Sequence, residues 1–245
     1  MLKSNCLILY RFMKYCCKCI LPSTRPNLVI GKSGICNACE STSNKAKSEI
    51  DWRLRKDQFI SIVEENKSKS NWDCVIPVSG GKDSTWQVLM ALKYGLKPLC
   101  ITWKTPGRNS IGQLNLDNLI SLGVDHVDFT VNPKVEKYFT KKSFIEKGIP
   151  LIPMHMAIYN LPIRIAYNFR IPLVIYGENS AIEYGGNNKY HTFDLTNDWK
   201  LNFGVNGGTT SDDWIDSNLS KLDLTPYSLP DFKVEPPKAI FLSHF

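Results

Sequence analysis

The fold of this chain is most constrained by one segment, CVIPVSGGKDSTWQVLMALKYG, which runs from residue 74 to residue 95. Its apolar start, Cys74–Val78, is typical of a buried strand, and Ser84–Tyr94 has apolar residues at helical spacing. A second apolar run, Pro98–Trp103, follows the helix. A strand, a glycine loop, a helix and another strand predict a βαβ unit, in which the two strands are parallel.

The rest of the domain repeats this alternation of strands and helices. Helices are predicted at Gly112–Val124, Val135–Lys147 and Met154–Phe169, and strands at His126–Val131 and Leu173–Tyr176. Pro162 is expected to mark a kink or a restart of the third of these helices. The alternation favours an α/β fold with a doubly wound parallel sheet.

The glycine loop between the first strand and its helix is typical of an anion-binding site. Glycines let backbone N–H groups approach an anion closely, and the helix N-terminus adds its partial positive charge. In doubly wound sheets, ligands bind at the carboxyl ends of the strands. That edge is predicted to carry SGGKDS at Ser79–Ser84 together with Thr102, Trp103 and Gly177, which are candidates for cofactor binding.

A polar stretch rich in Asn, Asp and Gly follows the strand Leu173–Tyr176 and extends to about residue 211. We interpret it as substrate-binding loops, because functional residues concentrate on loops of this kind. Glu178 and Glu183 are candidates for substrate contacts or acid–base catalysis. The alternative for each is a solvated loop carboxylate without a role in the site.

Five cysteines form a cluster near the N-terminus. Cys16 and Cys19 make one CxxC pair, Cys36 and Cys39 make a second, and sixteen residues separate the pairs. This spacing predicts a zinc ribbon with four thiolate ligands, which leaves Cys17 as the spare cysteine. A redox or iron–sulfur role is the alternative chemistry, and a nucleic-acid-binding ribbon is the alternative function.

Four segments are predicted along the chain. Residues 1–12 precede Met13 and are expected to be an extension with no role of their own, 13–45 form the zinc ribbon, 46–70 form a helical linker, and 71–245 form the α/β domain. The apolar ending AIFLSHF leads us to expect that this domain is truncated at its C-terminus.

Charge and hydropathy narrow the class of partner. The net charge of +7 favours anionic partners such as nucleotides, sugar nucleotides or RNA. No apolar run approaches the roughly 20 residues of a membrane span, and no signal-peptide cleavage site follows the short apolar run near the N-terminus. A cytoplasmic protein without a membrane partner is therefore expected, and in such a protein clustered cysteines favour metal binding over disulfides.

SGGKDS resembles the pyrophosphate loop, or PP-loop, of the ATP pyrophosphatase superfamily. The resemblance implies an adenine nucleotide α-hydrolase-like fold that cleaves ATP between the α and β phosphates and transfers AMP to a substrate oxygen. Lys82 would neutralise charge in the transition state, and Asp83 would bind the Mg²⁺ that accompanies the phosphates. The pyrophosphate would be held by Ser79, Gly80, Gly81 and Ser84.

The ribbon and the loop together resemble the N-acetyl sugar amidotransferases, in the stretches KYCCKCILPSTRPNLVIGKSGICNAC and WDCVIPVSGGKDSTWQ. Further matching stretches are GQLNLDNLISLGVDHV and YGENSAIEYGG, so the resemblance extends from Met13 to the C-terminus. These enzymes act in the biosynthesis of lipopolysaccharide O-antigen and of pseudaminic acid. Members of the family are usually longer than this chain.

The family resemblance implies an ATP-dependent conversion of an acetamido group on a nucleotide-linked sugar to an acetamidino group. Adenylation of the amide oxygen makes AMP a leaving group, which ammonia then displaces. A glutaminase partner subunit is expected to supply the ammonia, together with a cyclase-like subunit. The implied cofactors are ATP, Mg²⁺ and Zn²⁺, and the candidate catalytic residues are Lys82, Asp83, Glu178 and Glu183.

Two other functions compete with this one. A tRNA-thiolating enzyme also pairs a zinc ribbon with a loop of this type, although such enzymes usually carry further functional cysteines, and only Cys74 and Cys100 follow the ribbon here. A ribbon protein with a vestigial nucleotide fold is the non-catalytic alternative, which the intact SGGKDS disfavours. Nucleic acid is therefore not an expected partner.

Overall fold

The computed structural model describes residues 13–25, 28–47, 50–67, 71–183, 188–203, 206 and 208–245. The predicted extension at residues 1–12 lies outside the described residues. The chain divides into two compact units. The smaller unit contains the described parts of residues 1–52 and 179–192, and the larger unit contains those of residues 53–178 and 193–245.

The larger unit is built on a five-stranded parallel sheet. The strands are β1 Cys74–Pro77, β2 Pro98–Trp103, β3 Asp125–Phe129, β4 Leu173–Tyr176 and β5 Lys238–Phe241. Their order across the sheet is β3-β2-β1-β4-β5, and every neighbouring pair is parallel. The predicted fold class is therefore confirmed.

The strand order places a ligand-binding crevice at the middle of the sheet. The chain adds β2 and β3 on one side of β1 and then returns to the other side with β4. Since βαβ crossovers are right-handed, the helices of the two halves cover opposite faces of the sheet. The reversal occurs between β1 and β4, and ligands of doubly wound folds bind beside the carboxyl ends of the strands at such a point.

The first two helices precede β1, and the others lie in the connections between the strands. The helices are α1 Asn37–Lys47, α2 Trp52–Glu65, α3 Lys82–Lys93, α4 Ser110–Ile120, α5 Pro133–Lys147, α6 Ile152–Asn168, α7 Ser180–Glu183 and α8 Asn197–Phe203. No helix in the described part of the chain is both long and apolar enough to span a membrane.

Some helix boundaries differ from the sequence-based prediction. The helix predicted from Ser84 begins at Lys82, directly after the glycines. The helix predicted from Gly112 begins at Ser110, because the Asn109 side chain accepts a hydrogen bond from the backbone nitrogen of Gly112 at 2.8 Å and caps the helix.

Pro162 does not restart α6, so that alternative of the prediction is wrong. The helix is continuous from Ile152 to Asn168. It packs against β1, β2 and β4, and Leu161, Pro162 and Ile163 are all buried. Tertiary packing therefore maintains the helix across a position where the proline removes one backbone hydrogen bond.

The polar stretch after β4 is not loop throughout. It contains the short helices α7 and α8. At the start of α8, the side chain of Thr196 accepts a hydrogen bond from the backbone nitrogen of Trp199 at 3.1 Å, and Trp199 is buried. A cap and one large apolar residue thus order a segment whose composition is typical of a loop.

Two apolar clusters form the core of the larger unit. One joins α2, α3 and α4 to alternate strand residues such as Cys74 and Ile76. The other joins α5 and α6 to the segment that follows α8. At its centre, the Phe139 ring lies 5.2 Å from the ring of Trp214 and 5.2 Å from that of Tyr227. These aromatic contacts attach the last third of the chain to the sheet.

We expect Phe139→Ala to lower the free energy of unfolding by about 3–5 kcal/mol, because it leaves a cavity among buried rings. Phe144→Ala is the control on the same helix, since Phe144 is 59% exposed, and it should change the value by less than about 0.5 kcal/mol. Urea unfolding followed by circular dichroism measures both. Equal losses in the two variants would contradict this account of the core.

Candidate functional site

The loop Ser79–Ser84 folds tightly between β1 and α3. The backbone nitrogen of Gly81 donates to Ser79 Oγ at 3.3 Å, and that of Ser79 donates to Ser84 Oγ at 3.3 Å. Ser84 Oγ in turn donates to the carbonyl of Gly81 at 3.0 Å. Gly81 is the N-cap of α3, and no side chain caps the helix there. The first turn of α3 is thus arranged as in anion-binding helix N-termini.

Gly80, within the loop, packs against the backbone of α4. Its φ is +79°, in the left-handed region, and a Cβ on this residue would lie 2.7 Å from the backbone nitrogen of Leu116. Backbone atoms cannot move away as a flexible side chain can. Glycine is therefore required here both for its conformation and for the close approach of α4.

Lys82 and Asp83 form an exposed ion pair at the start of α3. Lys82 Nζ lies 2.5 Å from Asp83 Oδ1, and the two side chains are 87% and 57% exposed. The hydrogen bond to Asp83, with a smaller contribution from the charge of Glu178, raises the pKa of Lys82. Because exposed ion pairs contribute little stability, both groups can reorient toward a phosphate or a metal ion at small energetic cost.

A cavity of about 680 Å³ lies where the carboxyl ends of β1, β2 and β4 meet. Its volume is within the range of small-molecule sites, roughly 300–1,000 Å³. The predicted residues that line it are Ser79, Asp83, Ser84, Thr102, Trp103, Gly177 and Glu178. Gly80, Gly81 and Lys82 belong to the same loop but are not among the lining residues.

Two polar atoms on the wall of this cavity have no hydrogen-bond partner among the described residues. They are Oε1 of Gln87 and Nε1 of Trp103, and both are buried. Buried polar atoms normally have partners, so an acceptor and a donor are left for a ligand. The sequence analysis did not single out Gln87, although its position one helical turn after Ser84 is a signal that it faces the same side of α3.

Thr102 supports the site through the backbone. Its Oγ1 donates to the carbonyl of Val78 at 2.8 Å and lies 2.9 Å from Nε2 of His126. Since a hydroxyl carries one proton, His126 Nε2 is the donor in the second bond. Burial lowers the pKa of His126, which favours the neutral ring. The hydroxyl of Thr102 is thereby engaged in positioning the strand end that leads into the loop.

Arg108 is a second cavity residue that the sequence analysis did not single out. Its two terminal nitrogens donate to the carboxylate oxygens of Asp128 at 2.6 and 2.7 Å, and one of them also donates to Gln113 Oε1 at 3.1 Å. These bonds raise the pKa of Arg108 and lower the pKa of Asp128. A fixed guanidinium at this edge suits a phosphate or carboxylate ligand. The sequence signal that could have identified Arg108 is its position shortly after β2, at the predicted ligand-binding edge of the sheet.

The two candidate carboxylates fall in different units. Glu178 is exposed and lines the cavity in the larger unit. Glu183 is exposed at the end of α7, which belongs to the smaller unit, and it is not a lining residue. Gly177, which precedes Glu178, lies so close to the side-chain amide of Gln87 that a Cβ would collide with it. The catalytic role of Glu183 stays a prediction.

The four predicted zinc ligands lie together in the smaller unit. The sulfur atoms of Cys16, Cys19, Cys36 and Cys39 all lie within 4.8 Å of one another. The backbone nitrogens of Cys36 and Lys18 donate to Cys16 Sγ at 3.2 and 3.4 Å. Four sulfurs in this arrangement fit the tetrahedral coordination of a structural zinc ion, with no position left for a substrate.

Among the comparisons with known proteins, the one with solved structures gave matches. No protein-family model and no curated protein matches this chain. NMN synthetase from Francisella tularensis is similar at 15% identity and a TM-score of 0.39, over 71% of this chain and 81% of its own. The predicted subunit of a tRNA methyltransferase from Methanocaldococcus jannaschii is similar at 23% identity and a TM-score of 0.32, over 44% of this chain and 53% of its own.

We expect Gly80→Ala to lower the free energy of unfolding by about 2 kcal/mol or more, because the added methyl group meets the backbone of α4 at a left-handed φ. Gly107→Ala is the control in the same cavity, since a Cβ there has no heavy atom within 4 Å. Its unfolding free energy should change by less than about 0.5 kcal/mol. Chemical denaturation measures both, and a Gly80→Ala protein as stable as Gly107→Ala would refute the proposed close approach.

We expect the purified protein to contain one zinc ion per chain and Cys16→Ser to lose it, because Cys16 is one of the four clustered sulfurs. Cys17→Ser is the control, since Cys17 is exposed and lies outside the cluster. Inductively coupled plasma mass spectrometry gives the metal content. Zinc retained in Cys16→Ser, or lost in Cys17→Ser, would overturn the assignment of ligands.

Proposed function

We propose that this chain is an ATP-dependent amidotransferase that converts an acetamido group of a nucleotide-linked sugar to an acetamidino group. The sequence resemblance places this reaction in surface-polysaccharide biosynthesis, such as that of lipopolysaccharide O-antigen. One structural observation carries the proposal: the SGGKDS loop borders a ligand-sized cavity at the reversal of strand order between β1 and β4.

The chemistry needs an activated amide. The carbonyl oxygen of the acetamido group attacks the α-phosphorus of ATP, and pyrophosphate leaves. The product is an O-adenylyl imidate, whose carbon is a far better electrophile than that of the amide. Ammonia adds to this carbon, AMP leaves with the former amide oxygen, and the carbon keeps both nitrogens as an amidine. The protein must therefore hold pyrophosphate and stabilise charge that develops on the phosphates.

The residues around the loop can serve these needs. The backbone N–H groups at the start of α3 and the hydroxyls of Ser79 and Ser84 would hold the pyrophosphate. Lys82 would leave Asp83 and neutralise the phosphate charge. Arg108 and the unpartnered atoms of Gln87 and Trp103 would orient the nucleotide or the sugar, while Thr102 and Gly177 set the positions of the strand ends.

A magnesium ion also fits the donor set of the loop. Asp83 and Glu178 offer exposed carboxylate oxygens, the ligand type that Mg²⁺ prefers in proteins. A bound Mg²⁺ would supply positive charge to the phosphates of ATP. Where Asp83 alone holds the Mg²⁺, Glu178 is the lining carboxylate left to accept a proton once ammonia has added to the imidate carbon. Glu183, which does not line the cavity, remains a candidate from the sequence.

The state of the remaining thiols favours nitrogen transfer over tRNA thiolation. Outside the ribbon, the cysteines of the described chain are Cys74 and Cys100, both fully buried in strands. Burial raises the pKa of Cys74 and raises that of Cys100 to about 12. A thiol of this kind neither carries sulfur to a substrate nor attacks glutamine. Neither of these two thiols is therefore a candidate to release ammonia from glutamine, and we propose that a glutaminase subunit supplies it, acting with a cyclase-like subunit.

The proposal is tested by incubating the zinc-loaded protein with ATP, Mg²⁺, ammonium and a UDP-linked diacetamido uronic acid. We expect AMP, pyrophosphate and a sugar product whose mass shows replacement of one oxygen by NH. AMP formed with tRNA but not with the sugar would transfer the assignment to thiolation. ATP cleaved to ADP would refute the assigned pyrophosphatase chemistry.

We expect Lys82→Met to lower kcat for AMP formation by about 100-fold or more, because it removes the charge that stabilises the transition state. Lys93→Met is the control, since Lys93 is an exposed lysine in the last turn of the same helix and does not line the cavity. Its kcat should stay within about two-fold of the unmodified protein. Equal kcat values for the two variants would remove Lys82 from the mechanism.

A further inference from the structure

A second cavity in the larger unit, of about 940 Å³, shares no lining residue with the first. One face of α6 forms part of its wall, with Met156, Asn160 and Arg164 at a spacing of four residues. The rest is formed by α8 and by residues between 206 and 231. Nothing in the proposed amidotransferase reaction uses this cavity.

A buried ammonium group lies at this cavity. Lys200 is 5% exposed, and its Nζ donates to Asn160 Oδ1 at 3.0 Å. No ion pair joins Lys200 to a carboxylate of the described residues. Burial lowers its pKa to about 8, so the group is still mostly protonated at neutral pH. A buried charge without a counter-ion is destabilising, which an anionic ligand would correct.

A second cation lies on the same wall. One terminal nitrogen of Arg164 donates to the carbonyl of Ser228 at 2.9 Å and to its Oγ at 3.1 Å, while Nε is buried without a partner among the described residues. The acidic residues that line the cavity, Asp212 and Asp231, are both exposed and form no ion pair with Arg164. The inner part of the cavity is therefore positively charged.

The neutral groups of the cavity are also incompletely paired. Oδ1 of Asn206 and the hydroxyl of Tyr227 have no partner among the described residues, and the two side chains are 5% and 0% exposed. Hydroxyl side chains supply much of the remaining lining: Thr209, Thr210, Ser211, Thr225 and Ser228. Thr209, Thr210 and Ser228 already donate their hydroxyl protons within the protein, so these oxygens are left as acceptors. Together with the unpartnered atoms of Asn206 and Tyr227, they suit a ligand with hydroxyls of its own.

We propose that the second cavity binds an anionic carbohydrate, that is, a sugar carrying a phosphate or a carboxylate group. Lys200 and Arg164 bind the anionic group, and Asn206, Tyr227 and the hydroxyl side chains bind the sugar hydroxyls. The volume is within the range of small-molecule sites, roughly 300–1,000 Å³. The inference stands apart from the amidotransferase proposal, because it concerns binding at a cavity that the SGGKDS loop does not line.

Isothermal titration calorimetry with the full chain tests this site. The probes are glucose 1-phosphate, glucuronic acid, inorganic phosphate and the neutral control glucose. We expect glucose 1-phosphate, glucuronic acid or both to bind at least ten-fold more tightly than glucose and than inorganic phosphate. The better of the two identifies phosphate or carboxylate as the preferred anion. Binding no tighter than that of glucose overturns the role of charge, and equal binding of inorganic phosphate overturns the role of the sugar.

Variants then place the bound probe. Lys200→Met keeps an unbranched side chain one atom shorter, removes its charge and should weaken binding at least ten-fold. Two controls each remove one positive charge outside this cavity: Lys93→Met at an exposed lysine of α3 and Lys82→Met at the SGGKDS loop. Both should retain Kd within two-fold. If Lys82→Met loses binding of the probe while Lys200→Met binds it fully, the probe binds at the loop and the proposal is overturned.

A thermal unfolding curve of each variant separates loss of binding from loss of fold. If Lys200→Met unfolds below the assay temperature, Arg164→Met is used in its place, with the same ten-fold criterion. AMP formation in the sugar assay is measured on the same preparations. If the unmodified protein forms AMP but does not bind the sugar probes, only the proposal for this site is overturned. If it binds the probes but forms no AMP, only the amidotransferase proposal is overturned.

Discussion

The contact between Gly80 and the backbone of Leu116 is the constraint on which the candidate site depends. It brings the middle of α4 against the loop that follows β1, beside the crevice where the carboxyl ends of β1, β2 and β4 meet. Any side chain at residue 80 would separate α4 from the loop. Arg108, which precedes α4, and Thr102, near the end of β2, line the same cavity.

Helix α6 contributes to the walls of both cavities in the larger unit. It packs on β1, β2 and β4, presents residues such as Tyr159 to the cavity at the loop, and presents Asn160 and Arg164 to the other. Cationic side chains line both cavities, and so do buried polar atoms that have no partner among the described residues. The charged residues that line the first cavity are Asp83, Arg108 and Glu178, whereas Lys200 and Arg164 lie on the wall of the second.

The sequence predicted the central architecture well. The ends of β2 and β4 agree with the prediction, because short apolar runs bounded by glycine, proline or polar residues leave little choice for a buried strand. The sequence-based predictions were wrong where a long-range contact determines the local structure. Packing on the sheet keeps α6 continuous through Pro162, and Trp199 orders α8 within a stretch of loop-like composition. Gln87 and Arg108 were missed because their role depends on which side of an element faces the crevice.

The sequence by itself determined the type of fold, the four clustered cysteines and the place of SGGKDS between a strand and a helix, since each follows from local spacing. Only the tertiary structure decided the order of the strands, the approach of Leu116 to Gly80 and the burial of Lys200 at a second cavity that Arg164 also lines. The physical reason is the range of the interactions. Glycine, proline and cysteine patterns act over a few residues, whereas burial and uncompensated charge depend on segments far apart in the chain.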